Sequence, residues 1–304
     1  MKYNLRTYLE TEVKRLLIAG AILAFAGHPA HAQIQSGSIV IWMATDRDLV
    51  LAADSRVFCQ GAGCSAQDPI RDDDCKAIAL NDHLIFASAG LQGARGGEGL
   101  DFTWSVTGIA STLAAKKPFD TAKSIDDLAF EWLKSIQQRV DQMCESNAIS
   151  PDAPTRAVWS VAVFAGVTAK GVIHATEARF QTKIDPKIIG PCTFNPTVIP
   201  ADLSASSGSA VHSMGTGAAV AQTYLQNPEN LKREIPNLLP PDNSSNFTDW
   251  QDLAKMTYRV ARIAIEQSGS EDHVGGPVDQ LHLSAKGIEW LHRKPNCAEK
   301  QISK

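Results

Sequence analysis

The sequence predicts an α+β domain in which stacked β-sheets lie between outer layers of helices. Three observations support this: β-rich runs come first, a pair of helical patterns follows, and strands and helices then alternate once more before two closing strands. Because the helix pairs interrupt separate blocks of strands, each sheet has helices to cover its outer face. The chain has 304 residues, of which 44% are hydrophobic, and this suits one large domain with an ordinary core.

The N-terminus, residues 1–32, has the pattern of a secretory signal. Basic residues precede the apolar segment LLIAGAILAFAG, whose 12 residues are too few to cross a bilayer, since a spanning helix needs about 20. The small residues of AHA then predict cleavage after Ala32. Glu10 and Glu12 within the basic region leave an uncleaved anchor as the alternative. Cleavage implies a secreted or periplasmic protein without a membrane segment.

Charge and cysteine content narrow the class of protein. A formal net charge of −4 argues against a general nucleic-acid binder, which is usually basic. An even number of cysteines behind a secretory signal predicts disulfides, although the sequence does not select their pairing. The six are Cys59, Cys64, Cys75, Cys144, Cys192 and Cys297. A zinc site is the less favoured alternative, because the chain has no CxxC pair, and we expect no metal or other cofactor.

The first strands are predicted to form two hairpins. SIVIWMA (38–44) and LVLAADSRV (49–57) are β-rich runs joined by the polar turn TDRD. Residues 58–75 are rich in Gly, Asp and Cys, which predicts a loop, and two of the cysteines there bracket QGAG, which a local disulfide would close. KAIAL (76–80) and HLIFASAG (83–90), joined by ND, form the second hairpin.

Two helical patterns follow, and then two more strands. FTWSVTGIASTLAAKK (102–117) predicts the first helix. SIDDLAFEWLKSIQQRVDQMCESN (124–147) predicts the second more strongly, with Ser124 as the N-cap, acidic residues in the first turn and apolar residues at helical spacing. AVWSVAVFAGVT (157–168) and KGVIHATEA (170–178) are the next strands.

The remaining third of the chain repeats the succession. Residues 185–212 are rich in Pro and Ser and are predicted to be irregular, whereas GTGAAVAQTYLQ (215–226) predicts a turn that enters a helix. Residues 227–247 are polar and Pro-rich, which predicts a surface insertion. TDWQDLAKMTYRVARIAIEQSG (248–269) is an amphipathic helix capped by its first Thr or Asp, and PVDQLHLSAKGIEWLHR (277–293) forms two strands around AKG.

The segments AADSR and KAIAL hold the candidate chemistry. Asp54 ends one apolar strand and Lys76 begins another, and a carboxylate buried there needs a partner because burying it alone is costly. One interpretation is a purely structural ion pair. The other adds Ser38: at a chain N-terminus, a serine carries its own base, because an α-amine has a pKa of about 8. Lys76 would then favour the neutral amine and stabilise developing negative charge.

The second interpretation requires the chain to begin at Ser38. Ser36 and Gln33 are the alternative starts, but the 16 positions from Ser38 to Asp54 leave room for two short strands and a turn, which favours Ser38. The expected organisation is a signal (1–32), a short propeptide (33–37), one domain (38–293) with surface insertions near 58–75 and 227–247, and a tail (294–304).

Four segments resemble, in the same order, motifs of the proteasome β-subunit and HslV branch of the N-terminal nucleophile hydrolases. GSIVIWMATDRDLVLAADSR is similar to the family's opening hairpin, and KAIALNDHLIFASAG to its Lys-bearing strand. MGTG resembles the family's Gly-Ser-Gly turn, and VGGPVDQLHLSAKG its Ser-Gly-Gly-x-Val strand. The match spans most of residues 37–292. The resemblance implies a four-layer αββα sandwich, a peptide or small amide substrate, and association into homo-oligomers or rings.

The resemblance also implies roles for individual residues. Ser38 takes the place of the nucleophile after cleavage behind Gly37, and Gly90 offers a backbone N–H to the oxyanion. The full set of implied catalytic positions is Ser38, Asp54, Lys76, Gly90, Thr216 and either Glu271 or Asp272. Val57, Ile78 and Ser88 would line the first specificity pocket, which implies an apolar or small preference.

Three departures from the family pattern keep a second function open. The nucleophile is Ser rather than Thr, an insertion with three cysteines separates Asp54 from Lys76, and Val274 stands where the family has Ser. The alternative to a hydrolase is therefore a catalytically inactive proteasome-like scaffold with a binding or assembly role, in which the Asp–Lys pair is only structural.

Overall fold

The computed structural model describes residues 33–36, 38–60, 70–72, 74–95, 103–116, 118–145, 157–183, 193–194, 196–201, 210–215, 217–234, 249–268 and 274–298. Within them the strands are β1 (Gln33–Ser36), β2 (Ile39–Ala44), β3 (Asp48–Ala53), β4 (Val57–Gln60), β5 (Ile70–Arg71), β6 (Ala77–Asn81), β7 (Leu84–Gly90), β8 (Gly93–Arg95), β9 (Thr103–Ser105), β10 (Ala157–Val167), β11 (Ile173–Lys183), β12 (Thr193–Phe194), β13 (Thr197–Pro200), β14 (Ala210–Gly215), β15 (Asp279–Ser284) and β16 (Gly287–His292). The helices are α1 (Val106–Ala114), α2 (Ala122–Glu145), α3 (Ala218–Leu225), α4 (Pro228–Glu234), α5 (Trp250–Ser268) and α6 (Pro295–Ala298).

Two large antiparallel sheets form the centre of the fold. The first has the strand order β14-β2-β3-β15-β16, and the second has the order β12-β11-β10-β7-β6, with β13 also paired to β11. The turn between β2 and β3 is closed by a side chain, since Thr45 Oγ1 accepts the N–H groups of Arg47 at 3.2 Å and Asp48 at 3.1 Å. A Thr hydroxyl that bonds the backbone in this way favours a turn.

A shared core joins the facing sides of the two sheets. Strand β2 directs Val40, Trp42 and Ala44 into this core, and β7 directs Ile85 and Ala87 into it from the other sheet. Because successive side chains of a strand point to opposite faces, the alternate residues of both strands point outward. Both strands are buried along their whole length, so neither shows an alternation of apolar and polar residues.

Helices cover the outward face of each sheet. Helices α1 and α2 pack on the second sheet, where Phe86, Trp132 and Phe164 meet with ring centroids 4.9 to 5.9 Å apart. Helices α3 and α5 pack on the first sheet, and Met256 and Val260 of α5 lie in one core with residues of β2 and β3. Each of the two large antiparallel sheets is thus covered by helices on the face that lies away from the shared core.

A third sheet has strand β1 at its centre. Its strand order is β5-β4-β1-β8-β9, and β1 is antiparallel to both of its neighbours. Gln35 lies opposite Cys59 on one side and opposite Gly93 on the other. The four residues that sequence analysis treats as part of a short propeptide thus form a strand paired along both edges.

Both helices of the first pair begin at positions other than those expected. Residues 103–105 form β9, so α1 begins only at Val106, and Ser105 Oγ caps it by accepting the N–H of Gly108 at 3.0 Å. The choice of Ser124 as the cap of α2 is wrong. Thr121 Oγ1 accepts the N–H of Ser124 at 3.0 Å while Ser124 Oγ accepts the N–H of Thr121 at 3.1 Å, a reciprocal capping pair that starts the helix earlier.

Regular elements also occupy stretches that were predicted to be irregular. Strands β12 and β13 lie within 185–212, helix α4 lies within 227–247, and β5 lies within 58–75. The short strands have weak local patterns and form by pairing with longer neighbours, as β13 does with β11. Their formation depends on tertiary context, which local propensity does not capture.

Candidate active site

Ser38 lies completely buried at the start of β2, beside the end of β7. Its Oγ accepts a hydrogen bond from the backbone N–H of Gly90, with 3.3 Å between the two heavy atoms. Gly90 has a φ of +90°, a conformation that glycine adopts without the steric penalty of a side chain. The glycine at the end of HLIFASAG therefore allows the chain to turn its N–H towards the serine hydroxyl.

The backbone of Ser38 is itself unusual. Its φ is +154°, and no other non-glycine residue of the described ranges has a positive φ. A non-glycine residue in such a sparsely populated region costs about 1–3 kcal/mol, and it persists only where the surroundings enforce it. Gly215 makes room for this backbone: a Cβ placed on it would lie 2.1 Å from the carbonyl oxygen of Ser38, so only a glycine fits there.

Asp54 connects three parts of the site. Its Oδ1 accepts the backbone N–H of Ile39 at 2.9 Å and the Lys76 ammonium at 2.8 Å, and its Oδ2 accepts the N–H of Gly275 at 2.9 Å. The pairing of β2 with β3 causes this arrangement, because it brings the end of β3 opposite the start of β2. The carboxylate is thus fixed against the residue that directly follows Ser38.

Lys76 is as deeply buried as its partner. Its ammonium also donates a hydrogen bond to the carbonyl oxygen of Arg56, and its own carbonyl oxygen accepts the N–H of Ser88 at 3.0 Å. Burial lowers the pKa of the Lys76 ammonium below its ordinary value, and the carboxylate of Asp54 opposes this effect only in part. The lysine therefore loses its proton more readily than an exposed one.

Gly275 is a residue that sequence analysis did not assign to the site. Besides donating to Asp54, it accepts the N–H groups of Ser55 at 3.2 Å and Arg56 at 3.1 Å through its carbonyl oxygen. A Cβ on Gly275 would lie 2.3 Å from Arg56 Cζ, so a larger residue there would displace the Arg56 guanidinium. The paired glycines of VGGPV were the available signal, since a glycine often marks such an approach.

Two of the three pocket candidates are buried, and the third is partly buried. Val57 and Ser88 are almost completely excluded from solvent, and Ile78 is partly buried against the core beneath α1 and α2. The hydroxyl of Ser88 donates to Gln92 Oε1 at 2.9 Å. Ile78 and Ser88 lie on the paired strands β6 and β7, whereas Val57 begins β4 of the third sheet.

Some predicted residues lie outside the described ranges. These are Thr216, Glu271 and Asp272 from the implied catalytic set, Gly37 from the implied cut, and Cys64 and Cys192. Of the remaining cysteines, Cys75 and Cys297 form a disulfide that joins the residue before Lys76 to helix α6. The structure thus brings together Ser38, Asp54, Lys76 and Gly90 from the predicted set.

Within the described residues, no group of three or more His, Cys, Asp or Glu side chains is arranged to hold a metal ion. Over the same residues, no helix combines the length and the apolar character needed to cross a membrane. Comparison with protein-family models and with curated proteins gives no match for this chain.

Proposed function

We propose that this chain is an exported, proteasome-like N-terminal nucleophile hydrolase that cleaves peptide bonds with Ser38 after breaking its own Gly37–Ser38 bond. The observation that carries the proposal is the hydrogen bond from the N–H of Gly90 to Ser38 Oγ, 3.3 Å long, next to the buried pair of Asp54 and Lys76. A serine hydroxyl with a backbone N–H beside it has the parts of a nucleophile and an oxyanion site. Two antiparallel sheets that share a core, each with helices on its other face, support the four-layer αββα sandwich that the resemblance implies.

The first reaction of the proposal is self-cleavage. Ser38 Oγ attacks the carbonyl carbon of Gly37, the C–N bond breaks as the C–O bond forms, and the hydroxyl proton passes to the released amine of Ser38. Water then hydrolyses the ester, which leaves a carboxylate on Gly37 and a free α-amine on Ser38. The positive φ of Ser38 supports this step, because that torsion includes the bond to be broken and its strain ends with cleavage.

The second reaction uses the new amine as a general base. The amine takes the proton of Ser38 Oγ as the oxygen attacks a substrate carbonyl, and it passes the proton to the leaving amine. The N–H of Gly90 stabilises the oxyanion, and the acyl ester is hydrolysed by water. The carboxylate of Asp54 raises the pKa of Lys76 against the effect of burial and so favours its charged form. This positive charge favours the neutral form of the α-amine.

Strand β1 supports a peptide as the substrate rather than a small amide. Residues 33–36 precede Ser38 on the acyl side of the bond to be cut, and they pair with β4 on one edge and β8 on the other. Loss of residues 33–37 leaves both edges without a partner. An extended peptide can add to such edges through its main chain, as in known strand-addition complexes. The space between β4 and β8, which we call the slot, therefore suits the acyl side of a peptide substrate.

Export and assembly complete the proposal. The signal pattern of residues 1–32 and the Cys75–Cys297 disulfide both suit an oxidising compartment, such as the periplasm or the extracellular space. Association into a homo-oligomer or ring rests on the family resemblance, and sedimentation of the mature protein tests it. A protein that sediments as a monomer would contradict that part alone.

The mature N-terminus tests the function directly. Intact mass and N-terminal sequencing of the exported protein should give a chain that begins at Ser38 and that hydrolyses peptides. The Ser38→Ala variant should retain residues 33–37 and show no hydrolysis, while Ser38→Thr should still be processed. A wild-type chain that stably begins at Gln33 and lacks hydrolytic activity would contradict the hydrolase and leave the inactive scaffold.

A further inference from the structure

A second buried Asp–Lys pair lies beside the first. Lys294 Nζ is 2.8 Å from Asp279 Oδ2, and the backbone N–H of Lys294 donates to Asp279 Oδ1 at 2.8 Å. Asp279 is fully buried and Lys294 is 6% exposed. Asp279 lies opposite Ala53, the residue before Asp54, so the two carboxylates belong to neighbouring strands. Removing two charges from water costs free energy, so a gain in stability alone does not explain this second pair.

The second pair reaches the segment that carries Lys76. The Lys294 ammonium donates a hydrogen bond to the carbonyl oxygen of Asp74, while the N–H of Asp74 donates to the carbonyl oxygen of Ser55 at 3.2 Å. The peptide segment at Asp74 is therefore held from two sides, by Lys294 and by the segment that follows Asp54. Because Lys76 is only two residues further along the chain, these bonds restrict where its backbone lies.

The disulfide adds a covalent attachment to the same segment. Cys75, directly before Lys76, is bonded to Cys297, and the N–H of Cys297 donates to the carbonyl oxygen of Lys294 at 3.1 Å. Cys75 and Cys297 are both buried. Residues 294–297 thus contact residues 74–75 through one hydrogen bond and one covalent bond. We define this arrangement of Lys294 with the Cys75–Cys297 disulfide as the C-terminal clamp.

We propose that the C-terminal clamp positions Lys76, so that Lys294 is a positioning residue for the reaction at Ser38. This inference rests on the proposed function. A lysine side chain has four rotatable bonds, so a fixed backbone reduces the number of positions that its ammonium can occupy beside Asp54, which it meets at 2.8 Å. The charge of Lys294 also acts on Lys76: burial lowers the pKa of Lys76 most, and the nearby Lys294 ammonium lowers it further.

The test compares turnover per active site in variants of the mature protein. Asp279→Asn/Lys294→Met removes both charges, so that no lone buried charge remains, and a serine-directed covalent inhibitor counts the folded sites. We expect turnover per site to fall by about 10- to 100-fold, the size of effect that a displaced catalytic group produces, with KM nearly unchanged. Lys286→Met, an exposed lysine in the turn between β15 and β16, is the matched control and should leave turnover unchanged.

A purely structural role gives a different result. In that case the double variant has fewer titratable sites and a lower melting temperature, but each remaining site turns over at the wild-type rate, which would overturn the proposal. Cys75→Ala/Cys297→Ala, which keeps the ion pair, carries the same test if the first variant does not fold. Its turnover per site should also fall, and an unchanged value would count against the disulfide as part of the clamp.

A second measurement separates this proposal from the proposed function. Hydrogen exchange of residues 74–77 and acetylation of Lys76 need no activity at all. In the wild type Lys76 should resist acetylation, because its side chain is fully buried, whereas the clamp variants should show faster exchange and acetylated Lys76. If both readouts stay at wild-type values in folded variants, the clamp is wrong whether or not Ser38 is a nucleophile. If they change while no variant and no wild type hydrolyses peptides, only the proposed function fails.

Discussion

The carboxylate of Asp54 and the ammonium of Lys76 form an ion pair 2.8 Å long, and neither side chain has any exposed surface. The same carboxylate oxygen also accepts the N–H of Ile39, the residue after Ser38. The pair therefore joins the start of β2 in the first sheet to the start of β6 in the second sheet. Its charges affect stability as well as the proposed chemistry.

Removal of one member of this pair should be strongly destabilising. Asp54→Asn leaves the Lys76 ammonium buried without a counter-charge, and we expect a loss of about 3–5 kcal/mol in the free energy of unfolding. Asp54→Asn/Lys76→Met removes both charges and should recover a large part of that loss. Urea unfolding monitored by circular dichroism measures both. Glu131→Gln, which breaks an exposed pair with Lys134, is the control and should cost about 0.5 kcal/mol or less. Equal losses for Asp54→Asn and the control would contradict the expected cost of leaving a buried charge unpaired.

Gly215 should be required for the geometry of Ser38. In Gly215→Ala the new Cβ meets the Ser38 carbonyl oxygen, so either β14 or Ser38 has to move and self-cleavage should slow. Gly171→Ala is the matched control, because Gly171 also has a positive φ but no atom within 4 Å of an added Cβ. This substitution should lower the free energy of unfolding only by the cost of a side chain at a positive φ, about 1–2 kcal/mol, and should leave self-cleavage intact. Time-resolved intact mass gives the fraction of chains cut before Ser38; equal rates in the two variants would contradict the steric argument.

The peptide QIQSG, residues 33–37, should inhibit the mature protein competitively. Its first four residues form β1, which lies in the slot between β4 and β8. Once self-cleavage has released those residues, the slot can accept the free peptide. Methylation of the backbone nitrogen at the position of Gln35 removes one N–H from a strand that pairs on both edges, and it should weaken inhibition about 10-fold, as the loss of one hydrogen bond implies. Steady-state kinetics with a peptide substrate measures both constants. Equal inhibition by the two peptides would argue against binding as a paired strand.

Acid should destabilise the protein in part through Glu177. This carboxylate is buried, which by itself raises its pKa, but the neighbouring His212 at 2.8 Å and Arg179 at 2.6 Å outweigh burial and hold the pKa below 4.5. In the pH range between the lowered pKa and 4.5, the unfolded chain binds more protons at this group, so its contribution to stability is complete above that range and is lost as the pH falls through the lowered pKa. Urea unfolding from about pH 6 to about pH 3 should show this loss in the wild type and a smaller one in Glu177→Gln. Parallel curves for the two proteins would exclude Glu177 as a source.

The local sequence signals were strong enough to predict the pairing of Asp54 with Lys76. Asp54 and Lys76 each bound a run of apolar residues, and a charge in such a place needs a partner, so their pairing followed from the sequence. Gly90 followed from the family resemblance. Gly275 did not, because its role is a backbone N–H that reaches Asp54 from 221 positions away, and no side chain marks it.

Other features could not be predicted from local sequence patterns, because they too depend on contacts between residues that are far apart in the chain. Residues 33–36 show no long alternation, and β1 exists because β4 and β8 supply partners on both sides. The disulfide was expected as a type of bond, but its partners are 222 positions apart, and only the fold brings Cys75 to Cys297. Residues 294–298, treated as a tail, include α6 and the clamp, since Lys294 gains its partners only from distant strands.

The distance in sequence between Cys75 and Cys297 also has a consequence for biosynthesis. In an exported chain, as proposed above, the second cysteine would enter the oxidising compartment 222 residues after the first, so the bond beside Lys76 would form only when nearly the whole domain has been translocated. Until then the segment that carries Lys76 has no covalent attachment to the C-terminal region. For an exported chain, the order of translocation would therefore delay completion of the site until the surrounding domain has been delivered.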